Sequence, residues 1–407
     1  MNRSSFCCLI PIFCILWHVG GASESSWFEI DDEDATMSVP DLISKYGYQL
    51  ESHNVITEDG YGLTLFRIPP QQPMANSTQL PVLMCHGMLG SAADFVVIGP
   101  NNSLAYLLAD SGYDVWLMNA RGTLYSRKHS TLPLDSKKYW DFSWHEIGYY
   151  DLPAIIDYIL DVTSYGQLHY IGFSQGTTTY LVLTSARPEY NDRIALMVAL
   201  APTVFFKQIL SPLVRFMMPT RFERIMRFFI SRNVYGWLPS SRFQRMLRQL
   251  LCRPGSYSKN FCLELLNVLF GPHPKAYDER AMTVHNGHVP AGGSFYQEIH
   301  FVQIARSGRF QQYDFGREEN VRRYGSVKPP GYQLERSTAP IALFYGLNDW
   351  LVHPRNVDNL VKVLPRVVAV RPVADEQFNH VDFILGINVR ALVYDQVIQM
   401  IGRYDRS

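Results

Sequence analysis

Six short apolar runs recur along the chain, each separated from the next by a stretch with helical spacing. They are Pro81–Cys85, Tyr113–Met118, Leu168–Gly172, Ile194–Leu200, Ile341–Tyr345 and Val367–Val373. Runs this short, without polar alternation, read as strands buried on both faces. Their alternation with helices implies an α/β fold with a mostly parallel central sheet flanked by helices. Upstream, residues 53–69 read as a hairpin: His53 to Ile56, the turn Glu58-Asp59-Gly60, then Leu63 to Ile68. The alternation stops between about Pro202 and Ser337. That stretch is too long for a loop and carries helical spacing, so it reads as a helical insertion between two sheet strands. The expected layout is a core in two parts, 23–201 and 338–407, with a helical cap and lid at 202–337.

Residues 1–22 are excluded from that layout. Met1-Asn2-Arg3 is followed by an apolar stretch from Phe6 to Val19 and then by Gly20-Gly21-Ala22-Ser23. A basic start, a short apolar core and small residues read as a secretory signal peptide. The apolar core falls short of the ~20 residues that span a bilayer. Cys7, Cys8 and Cys14 lie within it, leaving Cys85, Cys252 and Cys262. Cys85 sits in an apolar run and reads as a buried thiol. Cys252 and Cys262 are near enough in sequence to close a small loop in an oxidising compartment. Asn76 and Asn101 begin Asn-x-Ser/Thr sequons and are candidate glycosylation sites. No Cys/His spacing suggests a metal site. Lys+Arg and Asp+Glu both number 37, so no global charge points to nucleic acid.

Leu168 to Gly176 reads as a strand ending in Gly172-Phe173-Ser174-Gln175-Gly176, and Thr177 to Ser185 continues as a helix. Gly-x-Ser-x-Gly in a strand–turn–helix context is a nucleophile elbow. The tight turn projects the Ser174 hydroxyl above the sheet edge, and the two glycines leave room for neighbouring backbone. The partners of such a serine follow as acid, then histidine. Asp349 lies in the loop after the run Ile341–Tyr345, where catalytic groups collect at strand C-termini. His380 lies in the loop after Val367–Val373 and is the expected general base. His353 is a rival base but shares the Asp349 loop. Asp375 and Asp382 are rival acids but share the His380 loop. Acyl transfer also needs two N–H donors for the oxyanion. Gln175, directly after the nucleophile, supplies one, and Met88, in the loop His86-Gly87-Met88-Leu89-Gly90, supplies the other.

These residues sit among further motifs. They are Lys45-Tyr46-Gly47-Tyr48, Glu58-Asp59-Gly60-Tyr61, Asn119-Ala120-Arg121-Gly122, Tyr125-Ser126-Arg127 and Phe142-Ser143-Trp144-His145-Glu146. Asp151-Leu152-Pro153, Pro290-Ala291-Gly292, Tyr313-Asp314-Phe315-Gly316, Asn348-Asp349-Trp350 and Asn379-His380-Val381-Asp382-Phe383 follow. Over nearly the whole mature length the sequence resembles the acid lipases of the α/β-hydrolase superfamily, the gastric and lysosomal enzymes and their insect relatives. The resemblance implies hydrolysis of triacylglycerols and sterol esters without metal or cofactor, and a helical cap with a mobile lid. Motif by motif it implies Ser174, Asp349 and His380 as triad, Met88 and Gln175 as oxyanion donors, and a cap disulfide matching Cys252 and Cys262. Two positions depart from the pattern. Phe173 stands where the elbow usually has His, its side chain expected to point away from the cleaved bond, and Met88 replaces a more usual Leu. Arg121, His145 and Glu146 are expected to form a buried structural network under the site.

Residues 203–253 carry ten basic side chains, Lys207, Arg215, Arg221, Arg224, Arg227, Arg232, Arg242, Arg245, Arg248 and Arg253, against the single acid Glu223. Phe and Met are frequent there too. A basic, aromatic-rich, amphipathic segment is expected to meet an anionic lipid surface, or else to pack its apolar face on the core with solvated arginines. The expected partners are a neutral lipid substrate and the lipid–water interface. The expected location is extracellular, with a lysosome as the alternative. The rival functions are an esterase or thioesterase for smaller acyl groups and a non-catalytic lipid-binding relative.

Overall fold

The computed structural model describes residues 32–71, 79–238, 241–252, 259–274 and 276–405. The signal-peptide reading and Asn76 lie outside them. Eleven strands occur among the described residues: β1 (Glu51–Ile56), β2 (Tyr61–Ile68), β3 (Val82–Cys85), β4 (Val115–Leu117), β5 (Lys128–His129), β6 (Leu168–Phe173), β7 (Ile194–Leu200), β8 (Gly236–Trp237), β9 (Gly293–Ser294), β10 (Ile341–Tyr345) and β11 (Val367–Pro372). The main sheet runs in the order β1-β2-β4-β3-β6-β7-β10-β11, with β5 paired to β2. β1, β2 and β4 pair antiparallel, and from β4 to β11 every pairing is parallel. All six apolar runs are therefore strands, and the hairpin is β1–β2.

Burial on both faces holds for β3, β4, β6 and β7, whose residues are all buried. It fails for β11, which alternates and then opens to solvent. This strand ends the sheet and has one neighbour, so its outer residues meet water. One hydrophobic cluster runs through the sheet and its flanking helices.

Between β7 and β10 the chain is helical, with helices Pro212–Met217, Thr220–Ser231, Arg242–Cys252, Lys259–Phe270, Glu279–His288, Phe295–Ser307 and Arg317–Tyr324. The two-residue strands β8 and β9 form a small antiparallel ribbon that the helical spacing did not announce. Met226 and Ile230, four apart on one helix, meet Phe295 and Ile299, four apart on another, in a second small core with Tyr313. Ser294 caps the helix Phe295–Ser307 in a capping box with Gln297. Cys252 and Cys262 are joined by a disulfide, and Cys85 is a buried free thiol pushed up by burial to about 12.

Several imidazoles are buried as neutral rings. Burial pushes His86 down to about 4 and His285 and His300 to about 3, and it lowers His145 and His288. Burial also pushes the Asp94 and Glu298 carboxyls up to about 7. The two sets oppose each other. In the unfolded chain the five imidazoles take up protons near pH ~6.5, protons that the fold refuses, so their contribution to stability is lost as pH falls. The two carboxyls hold protons in the fold that the unfolded chain releases near pH ~4, so their contribution is lost as pH rises toward 7. Burial raises Asp151 to about 6 and raises Asp141 and Asp382 too, but Asp34, Glu51, Asp59 and Glu319 are held low by their cationic partners and lose their contribution as pH falls, so the imidazoles and these four acids together outweigh the raised carboxyls. The melting temperature is expected to fall between pH 6.5 and 4, as read by differential scanning fluorimetry. A melting temperature that climbs on acidification would show that these rings charge within the fold.

Candidate active site

β6 ends at Phe173 and the next helix, Gln175–Ala186, begins one residue later. Ser174 fills the gap at φ 50°, ψ −114°. A non-glycine residue at positive φ is strained, and the tight strand-to-helix turn imposes that strain. The turn closes only because two neighbours lack side chains. A Cβ on Gly176 would run into the Cys85 carbonyl of the adjacent β3, and one on Gly172 would stand 2.8 Å from the Gly176 backbone. The Ser174 N–H bonds the Leu200 carbonyl at 2.9 Å, tying the elbow to β7.

The strand order then delivers the partners. β10 lies beside β7, and the loop after it carries Asp349. β11 lies beside β10, and the loop after it carries His380. His380 Nε2 stands 2.8 Å from Ser174 Oγ, and His380 Nδ1 stands 2.8 Å from Asp349 Oδ2. With a carboxylate facing Nδ1, the proton belongs on that nitrogen, leaving Nε2 to accept from the serine hydroxyl. Asp349 Oδ1 accepts the N–H groups of Leu351 and Val352 at 2.8 Å each, which fixes the carboxylate plane. All three side chains are buried, Ser174 at 8%, His380 at 3% and Asp349 at 1% exposure.

The rivals are engaged elsewhere. His353 caps the helix Pro354–Val363 through the Arg355 N–H. Asp382 accepts from His273 Nδ1 at 2.7 Å and from the Asn379 N–H at 2.6 Å. Asp375 lies 3.6 Å from His273 Nε2.

The loop that carries Met88 runs beside the serine. A Cβ on Gly87 would stand 3.4 Å from Ser174 Cβ. The loop is held from behind: His86 Nδ1–H donates to the Gly87 carbonyl, His86 Nε2 accepts the Ala120 N–H, and buried Asp94 accepts the Gly87 N–H. The Leu89 carbonyl accepts from the Ala291 N–H. Gln175 is the first residue of its helix, so its N–H has no partner within that helix. Its side-chain oxygen accepts from Gln297 Nε2 at 3.1 Å, a link to the inserted helices that the sequence did not suggest.

The Phe173 ring lies 5.3 Å from the His380 ring and abuts Gly87, so it packs against the base. One expectation needs correction. Arg121, His145 and Glu146 do not form one network. Arg121 is sandwiched between Asp59 and Asp151, His145 meets the Tyr332 hydroxyl, and Glu146 completes the capping box with Ser143. Among the described residues no group of three or more His, Cys, Asp or Glu side chains is placed to hold a metal ion.

A buried Ser–His–Asp relay at the C-terminal edge of a parallel sheet can perform acyl transfer. The comparisons with known proteins agree with that class. The family model for the alpha/beta hydrolase fold matches residues 81–387, and that for a partial alpha/beta-hydrolase lipase region matches residues 39–99. The chain belongs to the α/β-hydrolase family. Within it the chain falls among the lipases. It is 43% identical to Lipase 1 of Drosophila melanogaster over 91% of this chain and 81% of that protein. It is 36% identical to human gastric triacylglycerol lipase over 91% of this chain and 92% of that one. A provisionally named aryl esterase from Burkholderia cenocepacia superposes with a TM-score of 0.50 at 16% identity, over 88% of this chain and 100% of its own, which shows the fold alone.

Proposed function

We propose that this lipase hydrolyses neutral lipid esters, triacylglycerols or sterol esters, with Ser174 as nucleophile, His380 as general base and acid, and Asp349 as the carboxylate that orients His380. The observation that carries the reading is the unbroken relay from Asp349 Oδ2 through His380 to Ser174 Oγ, both contacts at 2.8 Å. His380 Nε2 takes the hydroxyl proton as Oγ attacks the ester carbonyl. The Met88 and Gln175 N–H groups receive the developing oxyanion, each worth ~3 kcal/mol. His380 then gives its proton to the leaving alcohol, and water, activated by the same imidazole, releases the fatty acid. Residues 202–337 act as a cap over this site. Hydrolysis of triolein, cholesteryl oleate and p-nitrophenyl butyrate, compared from pH 4 to 8, tests the substrate class. Turnover of the short ester alone would favour the esterase reading.

The inserted helices also support contact with anionic lipid. Phe216, Phe228 and Phe261 are 63%, 51% and 55% exposed, and Arg215, Arg224 and Arg232 are exposed near the first two in sequence. Not every arginine is available. Arg227 pairs with Glu223 at 2.8 Å, and Arg248 donates to the Asn286 carbonyl from a largely buried position. The Arg221 side chain lies outside the described set. Reversing Arg215, Arg224 and Arg232 together to Glu is expected to weaken binding to phosphatidylserine vesicles by about 100-fold at low salt, since each basic residue near such a surface contributes ~1 kcal/mol. Unchanged co-sedimentation would remove the anionic-lipid role.

Secretion is the proposed location, with delivery to a lysosome as the alternative; the amino-terminal sequence and the gastric lipase relative support an exported protein. Asn101 is exposed, as a glycan there would require.

A further inference from the structure

The segment that leaves helix Lys259–Phe270 threads between the loop carrying the triad acid and the loop carrying the triad base, and it touches both. On the acid side, the Trp350 N–H donates to the Phe270 carbonyl at 3.1 Å and Asn348 Nδ2 donates to the Pro272 carbonyl at 2.8 Å. Gly271, at φ 111°, lies against the backbone of Asn348, where any Cβ would collide. On the base side, Asn379 Nδ2 donates to the Gly271 carbonyl at 2.7 Å, and the Tyr277 hydroxyl meets the Asn379 amide. The Phe270 ring stacks on the His380 ring, 5.6 Å between centroids and 11° from parallel.

At the centre is a second histidine–carboxylate pair. Asp382 is fully buried. Its Oδ2 accepts from both His273 Nδ1, at 2.7 Å, and the Asn379 N–H, at 2.6 Å. Asn379 Oδ1 in turn accepts the N–H groups of Val381 and Asp382, closing the turn around His380. His273 engages this carboxylate from the insertion at 2.7 Å, and the Tyr277 hydroxyl from the same segment acts on it as well. Without His273 the buried oxygen loses a hydrogen bond and the turn loses an anchor.

We propose that His273 is a positioning residue for the hydrolytic reaction: bonded to Asp382, it fixes the Asn379–Asp382 turn and so holds the His380 imidazole on the line between Asp349 and Ser174. This rests on the triad reading above. The insertion thereby takes part in catalysis as well as covering the site. A displacement of helix Lys259–Phe270 would be felt at the base through the same strap. Because His273 does not touch the substrate, its loss acts on the chemical step and leaves binding alone.

The test uses the full-length enzyme and a soluble short ester, p-nitrophenyl butyrate, with the rate of fluorophosphonate labelling as a second readout of nucleophile activation. His273→Leu is expected to lower kcat and the labelling rate at least tenfold with KM within twofold of the parent. His273→Asn, whose amide nitrogen falls near the place of Nδ1, recovers most of the rate. His273→Gln, whose donor is displaced, recovers less. Parental kcat and labelling in folded His273→Leu would overturn the proposal. If that variant does not fold, equal rates for the Asn and Gln variants would overturn it. Ser174→Ala run alongside separates the two readings. Residual turnover there defeats the triad itself, whereas a dead Ser174→Ala with unaffected His273 variants defeats only the positioning role.

Discussion

Replacing Ser174 by alanine is expected to leave a folded protein whose ester hydrolysis falls by ~10⁴-fold or more, the scale seen when a triad nucleophile is removed. The hydroxyl is the atom that bonds to the acyl carbon, and no other nucleophile in the described relay stands in for it. At 1.36 kcal/mol per decade the loss corresponds to about 5 kcal/mol or more of transition-state stabilisation. The fold should tolerate the change. Alanine meets the same positive φ as serine, and the tie from the residue 174 N–H to the Leu200 carbonyl is backbone and stays. Circular dichroism and the melting temperature should match the parent, while release of p-nitrophenol and labelling by a fluorophosphonate both vanish. A variant that keeps turnover within tenfold of the parent would show that the relay from Asp349 to Ser174 is not the engine of this lipase.

The parts of this site that could be read from the sequence are those whose physics is local. Gly172, Ser174 and Gly176 are constrained by one turn, and the backbone contacts that forbid side chains at 172 and 176 come from that turn and the strand beside it. Asp349 and His380 were legible because each follows an apolar run, and a parallel sheet gathers the ends of such strands along one edge. The residues that hold these groups in place were less visible. His273 and Asp382 are 109 positions apart, and Gln175 and Gln297 are 122 apart. No periodicity links them. β11 has the composition of a buried strand, and only the sheet order shows that nothing covers its outer edge. Among the arginines of the inserted helices, Arg227 could have been discounted from sequence, since Glu223 stands four residues earlier on the same helix. The Tyr313 hydroxyl and Arg306 that complete this contact come from distant segments.

Arg121→Leu is expected to be the most destabilising single change in the core, by about 3–5 kcal/mol. The Arg121 guanidinium is fully buried and bonds two carboxylates. Nε and Nη2 donate to Asp151 Oδ1 at 2.8 and 2.6 Å, and Nη1 and Nη2 donate to the two oxygens of Asp59 at 2.6 and 2.9 Å. Its carbon lies 3.9 Å from the centre of the Tyr61 ring, adding a cation–π contact. Leucine fills part of the space but leaves Asp151, itself completely buried, without its counter-ion. That carboxyl must then take up a proton or draw in water, and either route costs folding free energy. Lysine would restore one charge but not the planar fork that serves both acids, so Arg121→Lys should fall between the two. Urea unfolding measures the loss directly. The arginine sits in the loop that also gives Ala120 N–H to His86, and His86 in turn holds the Gly87 carbonyl of the oxyanion loop. Yet no Arg121 contact reaches the triad, so molecules still folded at 20 °C should hydrolyse p-nitrophenyl butyrate within about threefold of the parental rate. Full stability combined with lost turnover would reverse the assignment and move Arg121 from the scaffold into the chemistry.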